Sequence, residues 1–107
     1  MAYILVILRG GPNVDADHIH AEAHEQFITS LIRSNVILLG GGFTEPVGDV
    51  YAAYVLRCGD VGEAQAIAAR DPFVMNDVLR PECVAWSLVG INTDAIDATA
   101  VVGPGDV

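Results

Sequence analysis

A chain of 107 residues with a formal net charge of −9 has the length of one domain and is strongly acidic. Hydrophobic residues make up 52% and charged residues 18%, a globular composition on the apolar side that excludes extended disorder. Five Lys and Arg in all cannot neutralise a row of phosphates or hold an anionic bilayer, so nucleic acid and membrane surfaces are excluded as partners.

The first element is the apolar run Tyr3 to Leu8, rich in Ile, Leu and Val, which reads as a strand ended by Gly10-Gly11-Pro12. It is too short to span a membrane. It also lacks the basic stretch and cleavage site that flank a signal peptide. A long helix follows over residues 15 to 34, with Asp15 or Asp17 as the expected cap. Val36 to Phe43 is a second strand, its end loosened by Gly40, Gly41 and Gly42, and Glu45 to Asp49 connects it to a third strand, Val50 to Cys58. The second helix runs from about Val61 to Arg70 and stops at Asp71-Pro72, where proline cannot continue it. A helical turn through Phe73 to Leu79 and a fourth strand, Cys83 to Ile91, complete a domain of residues 1–91. Asn92 to Val107 reads as a C-terminal tail, partly extended and frayed at Gly103-Pro104-Gly105.

The order strand–helix–strand–strand–helix–strand predicts an α+β, ferredoxin-like βαββαβ domain, an antiparallel four-stranded sheet with two helices on one face. The strands are apolar at consecutive positions in Tyr3 to Leu8, Val36 to Leu39 and Tyr51 to Leu56. Helices cover only one side, so the other side calls for burial by something outside the chain. A self-complementary homodimer, sheet against sheet, is the simplest solution. In that topology the third and fourth strands are not neighbours, so Cys58 and Cys83 are expected to be unbridged. Without CxxC spacing they support neither zinc nor redox chemistry, and free thiols fit a reducing cytoplasm.

Rotating the first helix by about 100° per residue places His24 between Phe27, Ile28 and Leu31, with Glu22, Glu25, Gln26, Thr29 and Arg33 opposite. An imidazole on a core-facing stripe has a buried partner or lines a cavity. Asp71 is the candidate partner, since extending the second helix by one residue puts it on the stripe of Ala64, Ile67 and Ala68. A carboxylate beside an imidazole fixes its tautomer for acid–base work. The plainer reading is that Asp71 is the N-cap of a helix with Pro72 in its first position, and that His24 is a satisfied core histidine. Asp17, His20 and His24 form an i, i+3, i+7 ladder that could bind a divalent metal. No Glu lies between the histidines at a catalytic position and His20 lies near the solvated helix start, so no metal is assigned. The glycines at 40–42 precede no helix, so they are no phosphate loop and let the backbone pass close to a ligand or another chain. Tyr51, Tyr54 and Trp86 read as core or interface residues, and Phe73 as a wall over the helices.

These residues resemble the YciI-like (YCII-related) domains of the dimeric α/β-barrel superfamily. His24-Glu25-Gln26-Phe27-Ile28, then Leu31, then Val36-Ile37-Leu38-Leu39-Gly40-Gly41, is similar to that family's helix with one histidine and the strand after it. Glu63-Ala64-Gln65-Ala66 through Asp71-Pro72-Phe73 is similar to its second helix and Asp-Pro-aromatic signature. The likeness spans residues 3 to 91. It implies a homodimer of ferredoxin-like protomers and an active site built from His24 and Asp71. Family members are connected with dehydrochlorination of a hydroxylated aromatic, and the wider superfamily holds lactone isomerases and cofactor-free oxygenases. The chain departs from the family in having Gly41-Gly42 where Gly-Pro is common, and no basic residue beside Glu22 to steer an anionic substrate.

The resulting expectation is a cytoplasmic homodimer that binds a small cyclic metabolite without metal or organic cofactor. His24 and Asp71 would be the catalytic pair, with His20, Phe27, Gly41 and Phe73 at the substrate, for proton abstraction with elimination or isomerisation. The alternative is a non-catalytic ligand-binding or dimerisation module of the same fold.

Overall fold

The computed structural model describes residues 1–101. The Ile, Leu and Val run forms β1 (Ala2–Gly10), which lies inside the sheet between β3 (Val50–Cys58) and β4 (Leu79–Ala85). β2 (Ile37–Val47) borders β3 on the far edge, giving the order β2-β3-β1-β4 with every pair antiparallel. α1 (Asp17–Arg33) joins β1 to β2, and α2 (Val61–Ala68) followed by α3 (Pro72–Met75) joins β3 to β4. This is the ferredoxin-like βαββαβ arrangement that the hydrophobic pattern predicts.

Strand pleating sorts β1 into two faces. Ile4, Val6 and Leu8 face the helices and are buried with Tyr54, Leu56 and Cys58 of β3, together with Leu31, Ala64, Ile67, Ala68, Val78 and Leu79. Tyr3, Leu5 and Ile7 face the other way, in register with Arg57, Val55 and Ala53 of β3 and, for Leu5 and Ile7, with Val84 and Glu82 of β4. That outer face is largely apolar and carries no helix. An open groove of about 200 Å³ runs along it, lined by Leu38, Leu39, Val55, Trp86, Leu88 and Ile91. At the end of the face away from Trp86, Arg9 forks between Asp49 and Glu82 at 2.8 and 2.9 Å. Cys58 and Cys83 are free thiols on strands separated by β1, as the topology requires.

Several boundaries differ from the sequence reading. Neither Asp15 nor Asp17 caps α1: the helix is entered through a 3-10 turn, Val14–Ala16, whose backbone bonds to Gly11 and Asn13 carbonyls replace a side-chain cap. Its exit is conventional, because Asn35 takes a left-handed φ of 62° while Val36 N–H donates back to the Leu31 carbonyl. β2 continues through Glu45 and Pro46 to Val47, so the turn narrows to Gly48 and Asp49. β4 begins four residues before Cys83 and ends at Ala85, well short of Ile91. The limit is its partner: Ala85 already lies opposite Ile4, and only Trp86 N–H reaches one carbonyl further, at Tyr3. In the tail, Thr93–Ala95 and Ala98–Ala100 are 3-10 turns, with extended backbone at Asn92 and Ile96. The Gly103-Pro104-Gly105 expectation lies outside the described residues. No helix among those residues is long and apolar enough to cross a membrane.

Candidate active site

α1 lays Phe27, Ile28 and Leu31 on the core, and the same stripe carries His24 one turn earlier. Across from it, α2 ends at Ala68, and Asp71 opens α3 as its N-cap with Pro72 in the first turn. Asp71 Oδ1 accepts the Phe73 backbone N–H at 2.8 Å. The same carboxylate receives His24 Nδ1, at 2.8 Å to Oδ1 and 3.0 Å to Oδ2. One carboxylate thus caps α3 and bonds the imidazole at once, having oxygens enough for each. No extension of α2 is involved: the Asp-Pro corner itself turns Asp71 toward α1.

Asp71 is wholly buried, while the His24 side chain keeps 20% of its surface. A carboxylate only accepts, so Nδ1 of His24 carries the proton and Nε2 is left with its lone pair. The Phe73 ring lies flat on the imidazole, with centroids 4.0 Å apart and planes 12° from parallel. Three consecutive residues, Asp71-Pro72-Phe73, thus supply the partner, the turn and the wall that hold one histidine in a single tautomer and orientation.

Of the other expected site residues, Phe27 packs partly buried beside the pair's stripe, and His20 lies one turn before His24 with partial exposure. Gly41 is not brought to the pair. It sits exposed on the edge strand opposite Ala53, with open space where a side chain would point. Asp17, His20 and His24 do not converge, and among the described residues no three His, Cys, Asp or Glu side chains group as a metal site.

One polar residue on the helix-facing side of the sheet reads from the sequence only as core or interface. Tyr54 is 4% exposed on the helix-facing side of β3, and its hydroxyl is a buried polar atom without a hydrogen-bond partner among the described residues. Burial, and then the nearby Asp71 charge, push its phenol well above the usual tyrosine range, so it stays a protonated donor. The available signal was a lone polar tip on an otherwise apolar inner row, Tyr54, Leu56 and Cys58. Burial likewise pushes the Cys58 and Cys83 thiols up, which keeps both unreactive at neutral pH.

No protein-family model matches the chain, and no curated protein matches its sequence. Among solved structures it is similar to the 5-chloro-2-hydroxyhydroquinone dehydrochlorinase TftG from Burkholderia phenoliruptrix AC1100, in complex with 2,5-dihydroxybenzoquinone. The TM-score is 0.64 at 15% identity, over 79% of this chain and 93% of that one. At that identity the likeness shows the fold alone.

Proposed function

We propose that this chain is a YciI-like, cofactor-independent enzyme in which His24 is the general base or acid and Asp71 orients it. The observation that carries the reading is the buried carboxylate holding Nδ1 while Nε2 remains with a lone pair on a partly exposed ring. The reaction would be proton abstraction from a small cyclic metabolite, completed by elimination or isomerisation. The fold's likeness to a dehydrochlorinase, itself an elimination catalyst, supports that class. So does the flat Phe73–His24 stack, which suits a planar ring. A chain carrying net charge −9 favours neutral or weakly charged substrates over polyanions.

A ligand-binding module is the competing reading, and Asp71's duty as N-cap of α3 favours it, because the carboxylate has a structural reason to be there. His24 titration by NMR separates the two. Its resonances should follow pH across the neutral range, with Nδ1 protonated throughout, and should change in Asp71→Asn. An imidazole that stays neutral and unresponsive from about pH 5 to 8 in both proteins overturns the acid–base reading.

The protein would act as a cytoplasmic homodimer joined through the outer sheet face. Leu5, Val55 and Val84 lie side by side there with no helix above them, and Leu39 borders Val55. Sedimentation at micromolar concentration should show a dimer, and Leu5→Asp, which sets a charge at the centre of that face, should give a monomer. A monomeric wild-type chain would refute the arrangement.

A further inference from the structure

We propose that the segment Trp86–Ile91, which follows β4, docks a second copy of this chain, the two outer sheet faces meeting end for end with one such segment between them at each end. The inference rests on the reading of that face as the dimer interface, and adds to it a named element and a relative orientation.

The segment leaves the sheet where β1 has no more residues to pair, with Trp86 N–H donating to the Tyr3 carbonyl. It then crosses the outer face. Trp86, Leu88 and Ile91 share one groove with Val55 of β3 and with Leu38 and Leu39 of β2, on the far side of β1 from β4. Val55 shows what the crossing covers. It lies in register with Leu5 on the side without helices and outside the helix-facing core, yet it is only 4% exposed. The cover ends there. Leu5 and Ile7 are half-buried on the same face and Val84 is exposed. The segment's own outer side is bare: Val89 is fully exposed, Ile91 by two-thirds and Trp86 by half. An apolar strip that covers one valine and presents another to water is half of a contact.

A second copy is the occupant that fits. The open floor beside the segment is apolar, and its far edge is closed by Arg9, Asp49 and Glu82, which pair among themselves. In plan, four strands about 4.8 Å apart and about seven residues long cover roughly 450 Å², short of the roughly 800 Å² that each partner buries in a standard interface. The bare side of the segment adds contact area on both copies. Sheets packed face to face lie about 10 Å apart, so a segment resting on one face is pressed against the other. A two-fold axis across the strands puts one segment at each end of that layer and keeps the sheets parallel. An axis along the strands puts both segments at one end and none at the other, which wedges the sheets apart. It also sets each Arg9 cluster against its twin, and one arginine to two carboxylates leaves both clusters negative.

Val89→Asp tests the contact without disturbing the protomer, because this fully exposed side chain is not part of its own chain's core. Diluted to monomer, the variant should melt with the wild type. In sedimentation its dimer dissociation constant should rise about tenfold for each of the two equivalent contacts, roughly a hundredfold in all. Trp86, the one tryptophan of the chain, reads the same event. Its emission should move to shorter wavelength as wild-type protein associates. Orientation is read from Val89→Cys under mild oxidation, with the wild type as control for the native thiols. End for end, the two introduced thiols lie about 20 Å apart and cannot bridge. An unchanged dissociation constant in Val89→Asp, an unmoved Trp86 emission on association, or a disulfide-linked Val89→Cys dimer would each overturn the proposal. A dimer split by Leu5→Asp but not by Val89→Asp removes the segment and leaves the dimer reading standing. A monomeric wild type removes both and leaves the segment to another partner.

Discussion

Replacing Asp71 with alanine should remove about 3 kcal/mol of folding stability, while Asp71→Asn should remove only about 1 kcal/mol and yet invert the histidine it touches. Two separate losses add in the alanine variant. The Phe73 N–H at the start of α3 loses its cap, a change that costs roughly 0.5–2 kcal/mol in helices generally. His24 Nδ1–H loses its acceptor in a part-buried place, for about 1–3 kcal/mol, toward the low end because the ring retains access to water. Against a typical domain stability of about 5–15 kcal/mol, the sum is large enough to read in urea unfolding. Asparagine keeps an oxygen for the Phe73 N–H, and so keeps the cap. Its amide nitrogen takes the place of Oδ2, 3.0 Å from Nδ1, and an N–H there favours a lone pair on Nδ1 and the ring proton on Nε2. A protonated Nε2 cannot act as base from the neutral state, so the variant would be folded and inactive. Nitrogen-detected NMR reads the tautomer directly. Equal destabilisation by Ala and Asn would show that the cap matters little, and an unchanged tautomer in Asn would show that Asp71 does not set it.

The sequence carried this pair because its cues are local. A helical period of 3.6 puts His24 on the stripe of Phe27, Ile28 and Leu31, and Asp71-Pro72 marks a helix start whatever else happens there. What it could not carry is that one carboxylate would do both jobs, which depends on α3 packing against α1. β4 was misplaced for a related reason. Arg80-Pro81-Glu82 looks like a loop, but an edge strand tolerates proline and exposed charge, and Leu79 pairs with Gly10 regardless. Trp86 to Ile91 looks like a strand, but β1 has no residues left to pair with it beyond Trp86. Trp86, Leu88 and Ile91 instead line the outer groove with Leu38, Leu39 and Val55. Consecutive apolar positions in the strands point to a second apolar surface, and the structure shows an outer face that no helix covers. The unpartnered hydroxyl of Tyr54 was beyond reach, since partners of a buried atom are set by tertiary contacts alone.

Gly40→Ala should cost about 2–3 kcal/mol, and Gly41→Ala, one residue on, close to nothing. A Cβ at Gly40 would fall 2.4 Å from the Tyr54 Cβ and 2.9 Å from both the Tyr54 Cα and the Ala53 carbonyl oxygen. Backbone atoms and a Cβ cannot rotate aside as the end of a long side chain can. Relief therefore requires β2 to lift from β3, with loss of the local pairing, or Tyr54 to shift within the core. Gly41 meets nothing within 4 Å, and alanine there removes the entropy cost that glycine brings to a strand, roughly 0.5–1 kcal/mol. Urea unfolding of the two variants checks the contrast, and the glycine run separates into one residue the fold needs and one it does not. The restraint at position 40 is thus set by the Tyr54 backbone and Cβ together with the Ala53 carbonyl. Equal losses in the two variants would mean that the β2–β3 register differs from the one in which Gly40 faces Tyr54, and the restraint on Tyr54 would have to come from the helices.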